Sequence, residues 1–212
     1  MNDRELIRRS YNFEVRAEND EEKGAIITGL PIVYESKTDM FDFFEVIDRG
    51  ALDKCDLTDV RFLVNHDVNK IPLARSRRNN ANSTMRLWVD ANGLNIRVSL
   101  DVENNSEARA LYSAVQRGDI TGMSFMFAIE SERWEELDSE KPTRHICAIS
   151  TVVEVSAVTF PAYEDTEINA RDKRELDNAR LALENARKRA KSVDTDLLDL
   201  EKLKIEILCK GE

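Results

Sequence analysis

The sequence predicts a mainly β (α+β) protein: a closed or strongly curved antiparallel sheet with one or two helices, then a helical tail. Three observations carry this. Residues 11–163 break into short apolar or alternating runs punctuated by Gly, Pro, Asn and Asp, the pattern of strands and turns. Only one stretch inside them keeps a sustained helical period. Residues 172–208 contain neither Pro nor Gly and are dominated by Ala, Leu and charged residues, the composition of a long helix.

The elements follow in order. "NFEVRA" alternates polar and apolar. "GAIITGLPIVYES" is β-branched and interrupted by Gly29 and Pro31, so it reads as a strand with a bulge or bend. "FDFFEVI" is a further strand, "RGALDKC" one or two helical turns, and "VRFLVNHD" a strand ending in polar residues. In "MRLWVDANGLNIRVSL" the Asn92-Gly93 pair sits between alternating runs, the signal of a hairpin with a type I′ turn. In "NNSEARALYSAVQRGD" the period changes. Asn105 or Ser106 caps a helix, Ala108, Leu111, Tyr112 and Val115 line one face, and Gly118 stops it. "ITGMSFMFAIES" and "RHICAISTVVEVSAVTF" return to strand, and Pro161 ends the last one. The tail carries a seam through Leu176, Leu183, Ala186, Ala190, Val193, Leu197, Leu200 and Ile207, with a break expected in 192–195. The boundary falls in 164–171, dividing a body of residues 1–165 from a tail of 166–212.

With 212 residues the chain has room for one substantial core plus an appendage. Its net charge of −10 argues against duplex nucleic acid or an anionic membrane as the main partner, because both need a basic face. Cys55, Cys147 and Cys209 are scattered and form no CxxC, so neither a zinc knuckle nor a disulfide framework is indicated. "MNDRELIRRS" has no apolar core of a signal peptide, and no apolar run reaches membrane-spanning length, so a cytosolic protein is expected.

"GDITGMSFMF" raises the chemical question. On a strand, Phe125 and Phe127 face one way and Ser124 and Met126 the other. A small filler and an activated nucleophile both fit Ser124. A serine hydroxyl needs a base within hydrogen-bond reach, usually a histidine held by a third group. The chain has two histidines. His66 follows Phe62 and Val64 at period two, where a strand gives way to a loop. His145 begins a strand after a charged loop and reads as an ordinary exposed histidine. Glu154 interrupts the β-branched run "STVVEVSAV" and must face solvent or find a partner. Asp67 adjoins His66, yet neighbouring strand residues point to opposite faces, so it serves His66 only if the chain turns there. Two separated histidines make a thin metal site, and no cofactor is expected.

Four segments together, "FEVIDRGAL", "LVNHD…IPLARS", "GDITGMSFMF" and "VVEVSAVTFPAY", resemble the tailed-phage prohead (head-maturation) serine proteases, distant relatives of the herpesvirus assemblins. The resemblance covers residues 11–163. It implies a serine endopeptidase on a β-barrel wrapped by helices. It also implies Ser124 as nucleophile, His66 as general base and Glu154 as orienting acid. His145 is the alternative third member, because the herpesvirus relatives use a second histidine there. Ala74 stands where the family often has glycine. The implied substrates are scaffold segments, the capsid precursor and the protease itself, inside the immature capsid in the host cytoplasm, with dimerisation suspected. The tail is then an oligomerisation or scaffold-binding arm, removed by autolysis. The rival readings are a non-catalytic assembly protein with a β-body and coiled-coil arm, and a small-ester or lipid hydrolase.

Overall fold

The computed structural model describes residues 6–11, 15–20, 24–159 and 176–191. In chain order the strands are β1 (Ile7–Tyr11), β2 (Val15–Asp20), β3 (Gly24–Val33), β4 (Thr38–Asp39), β5 (Phe44–Ile47), β6 (Arg61–Val64), β7 (Ala74–Arg75), β8 (Met85–Val89), β9 (Gly93–Ser99), β10 (Gly122–Glu135) and β11 (Thr143–Val158). Helix α1 (Ser106–Arg117) lies between β9 and β10, and a second helix, α2, spans 176–191.

The strands form two sheets. The larger runs β1-β10-β11-β5-β4, with β6 on β11 and β7 on β6; the smaller runs β2-β3-β9-β8. Long β10 and β11 form its antiparallel spine, with several register shifts in the part beyond Met126. The other edge of β11 takes two short strands end to end, both parallel to it: β5 along Thr143–Ile146 and β6 along Glu154–Ala157. Segment 44–64 thus behaves as one interrupted strand with a looped excursion between its halves.

That excursion holds "RGALDKC". It forms successive tight turns, with N–H groups of Ala51, Asp53 and Cys55 donating to the carbonyls of Asp48, Gly50 and Leu52, instead of the expected helical turns. A bridge between Asp56 and Thr151 returns the chain to the sheet before a helix can propagate.

Side chains from both sheets and α1 make one core. Ile27 and Ile32 of β3, Leu94, Ile96 and Val98 of β9, and Ala108, Leu111 and Val115 of α1 meet Phe62, Phe125, Phe127 and Val155 of the larger sheet. Each of the Val, Leu, Ile and Phe side chains contributes roughly 1.5–3 kcal/mol on burial. Asn105 caps α1, its side-chain oxygen accepting from the N–H groups of Glu107 and Ala108, and Gly118 ends it at φ 79°.

The expected closed antiparallel barrel wrapped by helices is not found. Neither sheet closes, and β11 has parallel neighbours. The two-residue strands β4 and β7 end their ladders without reaching another edge, so among the described residues no pairing links the last strand to the first. The larger sheet is nevertheless curled: Arg9 of β1 makes a bidentate contact with Glu45 of β5, three places away in strand order.

The bend expected at Gly29 and Pro31 is the register shift between Gly29 and Ile32. The β8–β9 hairpin is present, but its turn is not type I′. Asp90 Oδ1 accepts from the N–H groups of Asn92 and Gly93, and the Asp90 N–H donates to the Gly93 carbonyl. Gly93 sits at φ 146°, where a Cβ would lie 1.9 Å from the Ile32 carbonyl oxygen. The glycine serves close passage of β3 as well as the turn.

In α2, Leu176 and Ala179 pack with Met40, Phe43 and Trp134, Leu183 is buried as well, and Phe43 meets Trp134 edge-on at 5.2 Å. Arg187 donates to the carbonyls of Leu137 and Ser139. The beginning of the expected tail therefore lies against the body. Pro161, the boundary at 164–171, the break at 192–195 and the rest of the seam lie outside the described residues.

Candidate active site

Strand β6 sends Phe62 into the core opposite Val155 and ends at Val64. The next two residues, Asn65 and His66, have φ of 51° and 58°. Left-handed backbone costs a non-glycine residue roughly 1–2 kcal/mol, so two in succession must be held from outside. The Asn65 N–H donates to the Ala157 carbonyl at 3.0 Å. Its side chain donates to Thr159 Oγ1 at 3.2 Å and accepts from the Thr159 N–H at 3.0 Å. The His66 N–H donates to Ser156 Oγ at 3.2 Å.

This turn changes the face to which the histidine belongs. Continued at period two from Phe62 and Val64, residue 66 would aim at the core. Instead its Nδ1 meets Glu154 Oε1, on the opposite face of β11 from Val155. The Glu154 side chain is 4 % exposed and that of His66 11 %, so the carboxylate has exchanged water for this partner. Its other oxygen accepts from the Ser156 hydroxyl at 2.6 Å. Ser156 thereby touches both the acid and the backbone of the histidine. With Nδ1 turned to Glu154, Nε2 faces away; it is buried and has no hydrogen-bond partner among the described residues.

Ser124 lies one strand away. On β10 it is opposite Ser156 of β11 on one side and Ser10 of β1 on the other. Cross-strand partners share a face, so Ser124, Ser156 and Glu154 stand together, backed by Phe125 and Val155 in the core. Ser124 is fully buried, and its hydroxyl donates to the Arg9 carbonyl at 2.8 Å.

The remaining candidates go elsewhere. Asp67 accepts from the Asn69 N–H in its own loop. His145 is not the exposed residue expected: Nδ1 contacts Asp48 at 2.6 Å and Nε2 contacts Glu135 at 3.3 Å, with a side-chain exposure of 13 %. It lies nine residues before Glu154 on the same strand, roughly 30 Å at about 3.3 Å per residue. It is therefore not brought to His66. Ala74, at the family's frequent glycine, is buried and pairs with Phe62. Burial pushes the Cys55 thiol up to about 12, and burial followed by Asp48 pushes the Cys147 thiol up, so both are poor nucleophiles. Among the described residues, no group of three His, Cys, Asp or Glu side chains is placed to hold a metal.

Beside this site lies a buried ionic cluster. Arg9 holds Glu45 with Nε and Nη2; Arg144 Nη1 reaches the same carboxylate at 3.2 Å, and Arg144 also pairs with Glu132. Burial alone would raise the Glu45 carboxyl, but the Arg9 and Arg144 guanidiniums outweigh it and hold it below its ordinary value.

A family model described as caudovirus prohead serine protease matches residues 11–180. The chain belongs to this family. Membership makes it a protease of phage capsid maturation. Ser124, His66 and Glu154 all fall within the matched span, which ends inside α2. Among solved structures, the capsid assembly protease gp21 of bacteriophage T4 is similar at 13 % identity and a TM-score of 0.42, over 74 % of this chain and 99 % of that one. No curated protein matches.

Sequence reasoning missed three contributors to the geometry of this candidate site. Ser156 was visible as the partner two residues from Glu154, on the same face of a strand. Asn65 carried a weaker signal, since asparagine tolerates left-handed backbone better than most residues. Strand β1 had none, because "LIRRSY" shows no alternation that separates it from a polar leader.

Proposed function

We propose that the chain is a serine endopeptidase in which Ser124 is the nucleophile, His66 the general base and Glu154 the acid that orients it. The observation that carries the reading is the state of His66. One ring nitrogen is taken by a buried carboxylate and the other is unpartnered among the described residues, with Ser124 on the strand next to that of Glu154. In that arrangement Glu154 favours the tautomer with its proton on Nδ1, leaving the Nε2 lone pair to accept the Ser124 proton. Ser124 Oγ then attacks a peptide carbonyl carbon. The C–N bond breaks, and the leaving amine takes the proton from Nε2. Water hydrolyses the acyl-enzyme, its proton passing through His66 back to Ser124. Ser156 keeps the carboxylate aligned.

The substrates are scaffold segments and capsid precursor, together with the chain itself, cut within the immature capsid in the host cytoplasm; the enzyme works as a homo-oligomer, a dimer by the family analogy, and the tail beyond α2 is the oligomerisation or scaffold-binding arm. Family membership supports the protease of capsid maturation, and the finer roles are the reading tested here. Co-expression of wild type or Ser124→Ala with the cognate capsid protein, read by intact mass, tests it. Trimmed precursor appears with wild type alone. Equal trimming by Ser124→Ala overturns the assignment.

A further inference from the structure

The chain is acidic, yet residues 68–89 carry Lys70, Arg75, Arg77, Arg78 and Arg86 and no Asp or Glu. Lys70 is taken by Glu107, and Arg75 by both oxygens of Asp59, at 2.6 and 2.7 Å. Arg77 and Arg78 are exposed, and among the described residues no carboxylate lies within ion-pair distance of either. With Arg75, Thr58, Asp59 and Asn80 they line a cleft of about 280 Å³. Arg61 also reaches Asp59, and Asp56 lies near Arg78, so four arginines stand against two acids and positive charge is in excess.

The arginines stand on fixed backbone. Arg78 and Asn79 are left-handed, at φ 57° and 50°. The Asn79 side chain holds that turn, accepting from the Leu87 N–H at 3.1 Å and donating to the Leu87 carbonyl at 2.8 Å. The Arg78 N–H donates to the Thr58 carbonyl and the Arg77 N–H to Ser83 Oγ. Part of the ordering cost of binding is thereby met in advance. Register ties the cleft to the candidate site. Glu154, Arg61 and Arg75 stand abreast on β11, β6 and β7. Cross-strand partners share a face, and two strand spacings put the Arg75 backbone roughly 10 Å from that of Glu154. An extended peptide advances about 3.3 Å per residue, so one polypeptide reaches from the reacting bond to the arginines within a few residues.

We propose that the cleft at Arg75, Arg77 and Arg78 docks an acidic stretch of the polypeptide substrate, a few residues from the bond that is cut. Carboxylates fit the forked donors of exposed guanidiniums, and the charge match gives selectivity and encounter rate. Nucleic acid fits less well. The cleft is a single spot containing acids, not a basic stripe, and a net charge of −10 repels a duplex. The inference rests on the serine-protease reading for the bond cut, but not for the binding.

The test uses the full chain carrying Ser124→Ala, so that the probe stays intact. Anisotropy at low ionic strength follows a fluorescein-labelled Gly-Asp-Glu-Asp-Glu-Gly peptide, its Asn/Gln counterpart and a short DNA duplex. The acidic peptide is expected to bind about tenfold or more tightly than either of the others. Arg77→Glu with Arg78→Glu is expected to weaken it by about tenfold or more, and Arg77→Lys with Arg78→Lys by about threefold or less. With the serine intact, the charge-reversed chain is expected to raise KM for capsid precursor by about tenfold at unchanged kcat. Arg77→Gln with Arg78→Gln serves if circular dichroism finds the reversed chain unfolded. Equal binding of acidic and neutral peptides, binding unmoved by the substitutions, or a tighter duplex overturns this inference alone. Capsid precursor trimmed equally by Ser124→Ala overturns the serine assignment, while charge-dependent peptide binding still upholds the docking site.

Discussion

At the scale of residues, the site depends on how a buried carboxylate is partnered. Glu154 gives one oxygen to His66 and the other to Ser156. Glu154→Gln keeps the shape but no longer favours the base tautomer, so cleavage of capsid precursor should fall by about 10²–10⁴-fold without vanishing. His145→Ala, made at the Asp48 cluster, should leave cleavage within about threefold of wild type; if it proves the more damaging change, the acid is misassigned. Ser156→Ala removes a support, not a reactive group, and should lower kcat by about tenfold with KM unchanged. Glu45 gives the pH dependence. Its carboxyl is held below the ordinary 4.5 by Arg9 and Arg144, against burial, which acts the other way. A depressed carboxyl contributes stability that is complete above its unfolded value and is lost as pH falls through the folded value. Urea midpoints should therefore hold steady through neutral pH and fall progressively below about pH 4.5. In Glu45→Gln this part of the acid dependence should be absent, at the cost of about 3–5 kcal/mol at pH 7 from the guanidiniums left behind.

At the scale of elements, the turn after β6 and the hairpin after β8 show what a tertiary neighbour does to local chemistry. Asn92-Gly93 is a turn signal by any local reading, but the glycine's conformation answers to β3. Gly93→Ala drives a methyl group into the Ile32 carbonyl and should cost roughly 3 kcal/mol or more by urea unfolding, several times the effect of an ordinary turn substitution. The two left-handed residues at 65 and 66 were barely legible, because Asn65 permits such backbone but no local pattern demands it. They are imposed by Ala157, Thr159 and Ser156, some ninety residues away in the chain. The row Phe62, Val64, His66 reads as one face only while the strand continues, and it stops at Val64.

At the scale of the whole molecule, two open sheets share a core, and α2 closes a separate apolar cluster over Met40, Phe43 and Trp134. The seam read from the tail was legible as an amphipathic face, but not what covers it. For Leu176 and Ala179 the cover is the body itself. Replacing Leu176 and Leu183 together by Asp should release α2 and shift Trp134 fluorescence to the red. Trp88, already 46 % exposed, should contribute little to the change. An unshifted spectrum would mean that the helix does not rest there in solution.

The sequence by itself determined the β-rich body, the capped helix α1 and the family, and it singled out the serine, histidine and glutamate proposed for the site. These rest on periodicity, capping and residue chemistry, which are local or carried by short segments. Only the tertiary structure decided that the sheets stay open, that a reversed turn swings His66 toward Glu154, and that the first strand lies across Ser124. Those outcomes hang on contacts between segments far apart along the chain. Such contacts form only when distant strands compete for the same edges, and no single stretch of sequence encodes which of them wins.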